Sequence, residues 1–412
     1  MRFAHIADCH IGAWREPLLR NANLQAFSRA VEICIERQVD FILISGDLFN
    51  TSFPSIDSLK EAVYGLSQLK AAGIPVYVIP GSHDFSPSGK TMLDVLENAN
   101  LFTNVFRGRV EDSKLRLKFT IDKKTGAKIT GILGKRGMLE SSYYESLDRE
   151  LLEAEDGFKI FMFHSPVQEL LPGEQWFETS PLSFFPKRFS YYAGGHVHIV
   201  HSAEIKGYGL FAYPGPLFPN SFSELEELQH GGFYIVEYSG GELSQEYQPI
   251  ILYNVLPIKI VCDGKSPQEV HSEIVEKTAG KELINTIVLI RLSGRLASGK
   301  TSDIPFNEIY EELYSRGAFT VLKNTSLLST EEFESISSSS GSVREIEERM
   351  LTENAPSMTV EKIGADKTKQ FLSTLMEILS AERKEGERVQ DFEVRLKEDF
   401  KKILTEYAGG DP

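Results

Sequence analysis

Five short polar clusters punctuate the first two hundred residues, and each but one directly follows an apolar run of strand length. In order they are Asp8-Cys9-His10, Gly46-Asp47, Gly81-Ser82-His83-Asp84, His164 and Gly194-Gly195-His196-Val197-His198. The preceding runs are Phe3 to Ala7, Phe41 to Ser45, Val76 to Pro80 and Ile160 to Phe163, while Tyr191 to Ala193 is too short to assign alone. Open α/β sheets bind ligands outside the carboxyl ends of their strands. Carboxylates and imidazoles recurring at five such places point to one convergent site. The fold must then lay these strands side by side, with their ends on a common edge.

The first part of the chain supplies the units for such a sheet. Strands are expected at Arg2–Ala7, Val39–Ser45 and Ile74–Ile79, with helices near Leu24–Arg37 and Ile56–Ala72 between them. Ser55 signals the start of the second helix and Gly73 its end. This βαβαβ pattern implies a buried sheet flanked by helices. From about residue 105 to 250 strands dominate, so the expected fold is an α/β sandwich of two packed sheets covered by helices. A smaller α+β domain follows, with strands at Val255–Cys262, Asn285–Leu292 and Ala318–Lys323 and helices at Pro267–Lys277 and Asn307–Ser315. The serine-rich Ser335 to Ser342 and the polar stretch after it read as a linker. Two amphipathic helices end the pattern, one presenting Phe371, Leu372, Leu375, Met376 and Leu379, the other Phe392, Leu396, Phe400, Ile403 and Tyr407. The expected boundaries are 1–250, 251–330, 331–366 and 367–407. Following a linker, the helix pair reads as a partner-binding element through Phe371, Leu375, Leu379, Phe392, Leu396 and Phe400; folding back onto the chain's own core is the alternative.

Bulk properties exclude little but are consistent. No apolar stretch reaches the about 18 residues of a membrane helix, and Met1 to His5 runs straight into a strand instead of a signal peptide. Three widely spaced cysteines fit a reducing cytoplasm and give no close pair for a structural zinc. The net charge of −15 argues at first against a nucleic-acid partner. Its distribution is uneven, however: residues 107–136 hold ten basic and three acidic residues. Lys114-Leu115-Arg116-Leu117-Lys118 alternates basic and apolar side chains. The segment reads as a two-stranded ribbon turning at Lys124-Thr125-Gly126, with one cationic face. Arg107, Arg109, Lys114, Arg116 and Lys118 are its candidate phosphate contacts; a solvated outer strand face is the alternative.

Singly, the five clusters are weak signals, since Asp-x-His is common and a lone Gly-Asp is usually a turn. Together and in order they form a donor set of carboxylate oxygen and imidazole nitrogen, suited to manganese, iron or zinc. Asp47 is the candidate bridge between two divalent ions. Asp8, His10 and His198 are expected on one, and Ser82, His164 and His196 on the other. Paired cations ionise water and clamp a phosphate. His83 is then spare, placed to orient the phosphate or assist the leaving oxygen.

The series resembles that of calcineurin-like metallophosphoesterases: Asp-x-His, Gly-Asp, Gly-Asn-His-Asp, His, Gly-His-x-His. Within them it is similar to the SbcD and Mre-eleven group of DNA double-strand-break repair nucleases, archaeal members above all. Arg2 to Gly12, Asp40 to Phe49 and Tyr213-Pro214-Gly215-Pro216 carry that likeness, dense over residues 1–235 and architectural beyond. The resemblance implies a metallophosphoesterase β-sandwich, a small α+β capping domain and a C-terminal helical tail. It further implies manganese-dependent exonuclease and endonuclease activity, a homodimer through the early helices and DNA in the dimer cleft. The helix pair would grip the coiled-coil base of an SMC-like ATPase of the SbcC or Rad-fifty type, inside the cell and at the nucleoid. Ser82 departs from the pattern, which has Asn there; a shorter, poorer ligand implies a weaker second metal site. Two other readings remain open: a phosphodiesterase for small phosphoesters, and a DNA- and ATPase-binding scaffold with weakened catalysis.

Overall fold

A computed structural model describes residues 1–86, 91–135, 137, 139–171, 179–329, 365–379, 381 and 389–408. Parallel strands β1 (Arg2–Ile6), β2 (Phe41–Ser45) and β3 (Val76–Ile79) alternate with helices α1 (Pro17–Glu36) and α2 (Ile56–Ala71). Side chains alternate across β1 and β2. Phe3, Phe41 and Leu43 enter one core, while Ala4, Ile6, Ile42 and Ile44 enter another, shared with α1 and α2. Burial on both faces explains why these strands read as unbroken apolar runs.

After α3 (Met92–Asn98) and the short β4 (Thr103–Asn104), the chain makes two hairpins. β5 (Gly108–Glu111) pairs with β6 (Lys114–Leu117), and β7 (Thr120–Ile121) pairs with β8 (Lys128–Gly131). The single ribbon expected from the sequence is therefore two. Its first turn, Asp112-Ser113, uses two non-glycine residues at positive φ, which composition does not announce. Its second is held by Asp122, whose carboxylate accepts the N–H of Thr125.

Short helices α4 (Ser141–Glu145) and α5 (Arg149–Ala154) lead to parallel strands β9 (Lys159–Phe163) and β10 (Tyr191–Gly194). Next come β11 (Val200–Ile205), β12 (Gly209–Pro214), helix α6 (Phe222–Leu228), β13 (Gly231–Ser239) and β14 (Glu242–Ile250). The strands form two six-stranded sheets, ordered β14-β13-β1-β2-β3-β4 and β11-β12-β10-β9-β8-β7. Phe3, Phe41 and Tyr77 of the first meet Ile160, Met162 and Tyr191 of the second in one buried core, so the sheets form a sandwich. Buried His5 ties them together, bonding the Tyr191 hydroxyl at 2.9 Å and the Gly194 carbonyl at 3.1 Å.

Beyond the sandwich, β15 (Asn254–Val261), α7 (Pro267–Thr278), β16 (Thr286–Arg295), α8 (Phe306–Ser315) and β17 (Ala318–Ser329) complete a three-stranded sheet. The chain divides into two compact units. One is Met1–Ile260 with His271–Leu292 and Pro305–Ser326; the other is Val261–Val270 with Ser293–Ile304 and Leu327–Pro412. Residues 251–330, expected as a cap, contribute to both. Within the first unit, Ile287 and Leu289 join the core behind the first sheet. In the second, helices α9 (Ala365–Leu379) and α10 (Val389–Ala408) pair by burying Phe371 and Ile403. The expected linker, 331–366, lies outside the described residues up to residue 364.

Candidate metal centre

Parallel strands β1, β2 and β3 of one sheet and β9 and β10 of the other end at one edge of the sandwich, and all five polar clusters sit in the loops that follow. Main-chain bonds hold these loops side by side. Asp8 N donates to the Gly46 carbonyl (3.2 Å), His10 N to that of Asp47 (2.9 Å) and Gly195 N to that of Phe163 (3.1 Å). The carboxylate of Asp84, fully buried, accepts from the N–H groups of Leu48, Phe49 and Gly81 at 3.0–3.1 Å. Asp84 thus clamps the Asp47 loop to the loop of Ser82 and His83.

The backbone is strained where the side chains converge. Asp8, His10, Asp47, His196 and His198 all have positive φ, between 43° and 90°. For a non-glycine residue this costs about 1–2 kcal/mol, and it marks positions whose side-chain direction matters more than backbone comfort. Glycines supply the room. A β-carbon on Gly46 would lie 2.1 Å from His164 Nδ1, one on Gly134 2.5 Å from His164 Cδ2, and one on Gly81 2.2 Å from Asp47 Oδ1.

Among the described residues, three overlapping groups place their donor atoms within 4.8 Å of one another. They are Asp8, His10 and His198; Asp8, Asp47 and His164; and His10, Asp47 and His83. His10 Nε2 and His198 Nε2 are 3.0 Å apart, and His164 Nε2 lies 3.1 Å from Asp47 Oδ2. The Ser82 hydroxyl donates to Asp47 Oδ2 at 3.4 Å, and His83 N donates to Asp47 Oδ1 at 2.7 Å. His196 stands slightly apart, with its ring against that of His164 and its N–H donating to both Asp8 oxygens. All eight residues expected at the site are therefore gathered there.

Carbonyl acceptors set two of the imidazoles. His164 Nδ1 donates to the Ser45 carbonyl and His83 Nδ1 to that of Asn50, both at 2.8 Å. When each ring is neutral, Nε2 is then the nitrogen with a lone pair. Buried His164 Nε2 faces the Asp47 carboxylate without a well-formed hydrogen bond. A buried imidazole nitrogen turned to a carboxylate fits a divalent cation. Burial lowers the pKa values of His10 and His196 to about 3, so both are neutral donors. At His164 burial acts the same way, but Asp47 and Asp8 outweigh it and raise the pKa to about 10. Burial would raise Asp47, yet His164, His10 and His83 hold it well below the usual carboxylate range.

Several residues at the site were not apparent from sequence. Glu224 Oε1 lies 3.2 Å from His198 Nδ1, and both residues line a cavity of about 730 Å³ beside the cluster, with Val197, Ile199, His201 and Leu228. Ser221-x-x-Glu224 has the spacing of a capping box and could have flagged α6, but it lies in a region where strands dominate the pattern. Gly134 and the clamp made by Asp84 carry no signal beyond their loops.

The basic segment presents less free charge than it promised. Arg107 pairs with Glu97 at 2.7 Å, Arg109 with Glu111, and Arg116 with Glu111 at 2.6 Å and Asp148 at 3.2 Å. Lys114 and Lys118 have no acidic partner among the described residues. In the tail, Phe371 is buried within the helix pair, Leu375, Phe392 and Leu396 are half-buried, and Leu379 and Phe400 are exposed.

Residues 1–200 match the calcineurin-like phosphoesterase family. The chain is similar to the DNA double-strand break repair protein Mre11 of several archaea. It is 30% identical to that of Methanopyrus kandleri over 256 residues, 59% of this chain and 55% of the relative. For Methanococcus maripaludis the identity is 30% over 263 residues, 58% of this chain and 64% of the relative. For Archaeoglobus fulgidus it is 31% over 225 residues, 52% and 49%. The chain thus spans about half to two thirds of the length of these relatives.

Protons and cations should compete at this centre. His164 keeps its proton below about pH 10 in the metal-free protein, so a cation must displace it. Between pH 7 and 9 the apparent affinity for manganese should rise by up to about tenfold per unit. Titration calorimetry in buffers of different ionisation enthalpy should show a proton released on binding. A pH-independent affinity with no proton release would contradict the assignment of His164.

Proposed function

Because residues 1–200 form a calcineurin-like phosphoesterase domain, we propose that the chain is a metal-dependent nuclease that processes DNA double-strand-break ends. The observation that carries this reading is the overlap of the ligand groups, which share Asp8, His10 and Asp47. One cation alone does not need so many donors, and overlapping groups suit two. Asp8, His10 and His198 would hold one, and Ser82, His164 and His196 the other, with Asp47 shared. Two such ions, manganese by preference for this donor set, supply an ionised water and neutralise a phosphate when bound. DNA as substrate is inferred from the archaeal relatives named as double-strand break repair proteins.

The chain's own residues prepare the site for that chemistry. Asp47 stays ionised, and its carboxylate is fixed by the N–H of His83 and the hydroxyl of Ser82. Asn50 pins His83 through Nδ1, which leaves Nε2 to face the substrate and, when the ring is protonated, to donate to a phosphate oxygen or to the leaving oxygen. The glycine walls around His164 keep its ring from turning. Water is excluded beneath the centre, where Asp8, His10, Asp47 and His164 are all buried.

The remaining parts support the wider reading. Phe53, in the loop before α2, is 62% exposed, and Ile56, at 84%, shares the outer face of α2 with exposed Val63 and Tyr64. An exposed apolar stripe of this kind suits a homodimer contact. The paired tail helices, with Leu379 and Phe400 outward, suit the coiled-coil base of an SMC-like ATPase. Residues 251–330 would act as the cap over bound DNA. Among the described residues no helix is long and apolar enough to cross a membrane.

Manganese-dependent degradation of linear duplex DNA tests this directly. The chain should degrade it, and His83→Ala should lower the rate by about 10²- to 10⁴-fold with manganese binding intact. Cleavage of a small chromogenic phosphodiester but not DNA would indicate a small-molecule phosphodiesterase; no cleavage of either would indicate a scaffold.

Ser82 reaches Asp47 by a long hydrogen bond, and a hydroxyl is a poor neutral ligand. Manganese titration should therefore give two unequal sites. Ser82→Asn should tighten the weaker by about tenfold, some 1.4 kcal/mol. Two equally tight sites, with nuclease activity unchanged by the substitution, would exclude a defect at Ser82.

A further inference from the structure

Helix α6 carries a carboxylate that no strand-end motif contains. Glu224 Oε1 faces His198 Nδ1 at 3.2 Å, on the side of the ring away from the cluster. His198 Nε2 lies 3.0 Å from His10 Nε2 and 3.8 Å from Asp8 Oδ1. The other two imidazoles pinned through Nδ1, His83 and His164, rest on neutral main-chain carbonyls. A carboxylate in that place does more. It fixes the tautomer with Nε2 free, holds the ring plane and makes Nε2 a stronger donor.

The carboxylate is itself held in place. Ser221 Oγ accepts the N–H of Glu224 at 3.2 Å, and Glu224 Oε2 accepts that of Asn220 at 2.9 Å. Arg291 of β16 fastens the same helix, with Nε donating to both oxygens of Glu226 at 2.9 and 3.1 Å and its guanidinium lying over the Phe222 ring. Glu224 therefore meets His198 from a braced support and not from a mobile loop.

We propose that Glu224 is a positioning residue of the metal centre, orienting His198 and strengthening its hold on the cation shared with Asp8 and His10. The proposal rests on the metal-binding reading above. Manganese titration calorimetry on the full chain tests it, with thermal unfolding followed alongside. Glu224→Ala should weaken one manganese site by about 10- to 100-fold, and Glu224→Gln, which keeps an acceptor but no charge, by less. Ser221→Ala removes the helix cap and the hydroxyl that donates to Glu224 Oε1. It should lower the Tm and weaken manganese affinity by less than Glu224→Ala does. In a His198→Ala background, Glu224→Ala should have no further effect on affinity.

Wild-type affinity in Glu224→Ala would overturn the proposal while leaving the metal centre standing. An equal loss in the His198→Ala background would show that Glu224 does not act through His198 and overturn the proposal as well. If the wild-type chain bound no manganese, the metal-binding reading would fail and this inference with it.

Discussion

The pairing of Asp47 with His164 is the interaction around which the functional edge is arranged. Their side chains lie 3.1 Å apart and out of solvent. A buried pair of this kind repays its desolvation only if the surrounding groups are well placed. Much of the local architecture serves that placement. Gly46, Gly134 and Gly195 wall in His164, Gly81 makes room for Asp47, and Asp84 gathers three N–H groups to keep their loops together. Even so, the centre holds more conflict than a resting core tolerates. Five side chains converge from left-handed backbone, together costing on the order of 5 kcal/mol or more. Two imidazole nitrogens face each other at 3.0 Å, and His164 Nε2 faces Asp47 without a well-formed hydrogen bond. A divalent cation would draw these nitrogens and the carboxylate onto a common centre, which is the physical reason for reading the cluster as a metal centre.

Much of this was legible in the sequence because strand ends are easy to find. Apolar runs locate β1, β2, β3 and β9, and the polar residues just after them locate the ligands. The parallel order that brings them to one edge follows from the alternation of strand and helix. What escaped was whatever depends on long-range packing or unusual backbone. The turn at Asp112-Ser113 has no glycine or proline, so two hairpins read as one ribbon. The basic run looked like a free cationic face because Glu97 and Asp148, which neutralise Arg107 and Arg116, lie outside it in sequence. Nothing in the sequence separates Phe53 and Ile56 from core residues, yet both are exposed. Glu224 is 26 residues beyond His198 in a stretch where strands dominate the pattern, and only the fold brings them together.

The parts outside the sandwich bear on how a general phosphoesterase chemistry could be directed to DNA. Ile287, Leu289 and Arg291 are built into the first unit, behind its first sheet and against α6. The region following the sandwich is thus partly continuous with the support of the site. The tail helices meet their immediate need by burying Phe371 and Ile403 between them, and still leave Leu379 at 68% exposure. On the reading proposed here, the exposed Leu379 and Phe400 are what a partner would grip.

If the five strand-end loops form one two-cation centre built around Asp47, anomalous diffraction at the manganese edge will reveal it in crystals of the full chain grown with manganese. Two peaks should flank Asp47, one against Asp8, His10 and His198, the other against His164 and His196. A single peak, or two peaks neither of which touches Asp47, would contradict that arrangement.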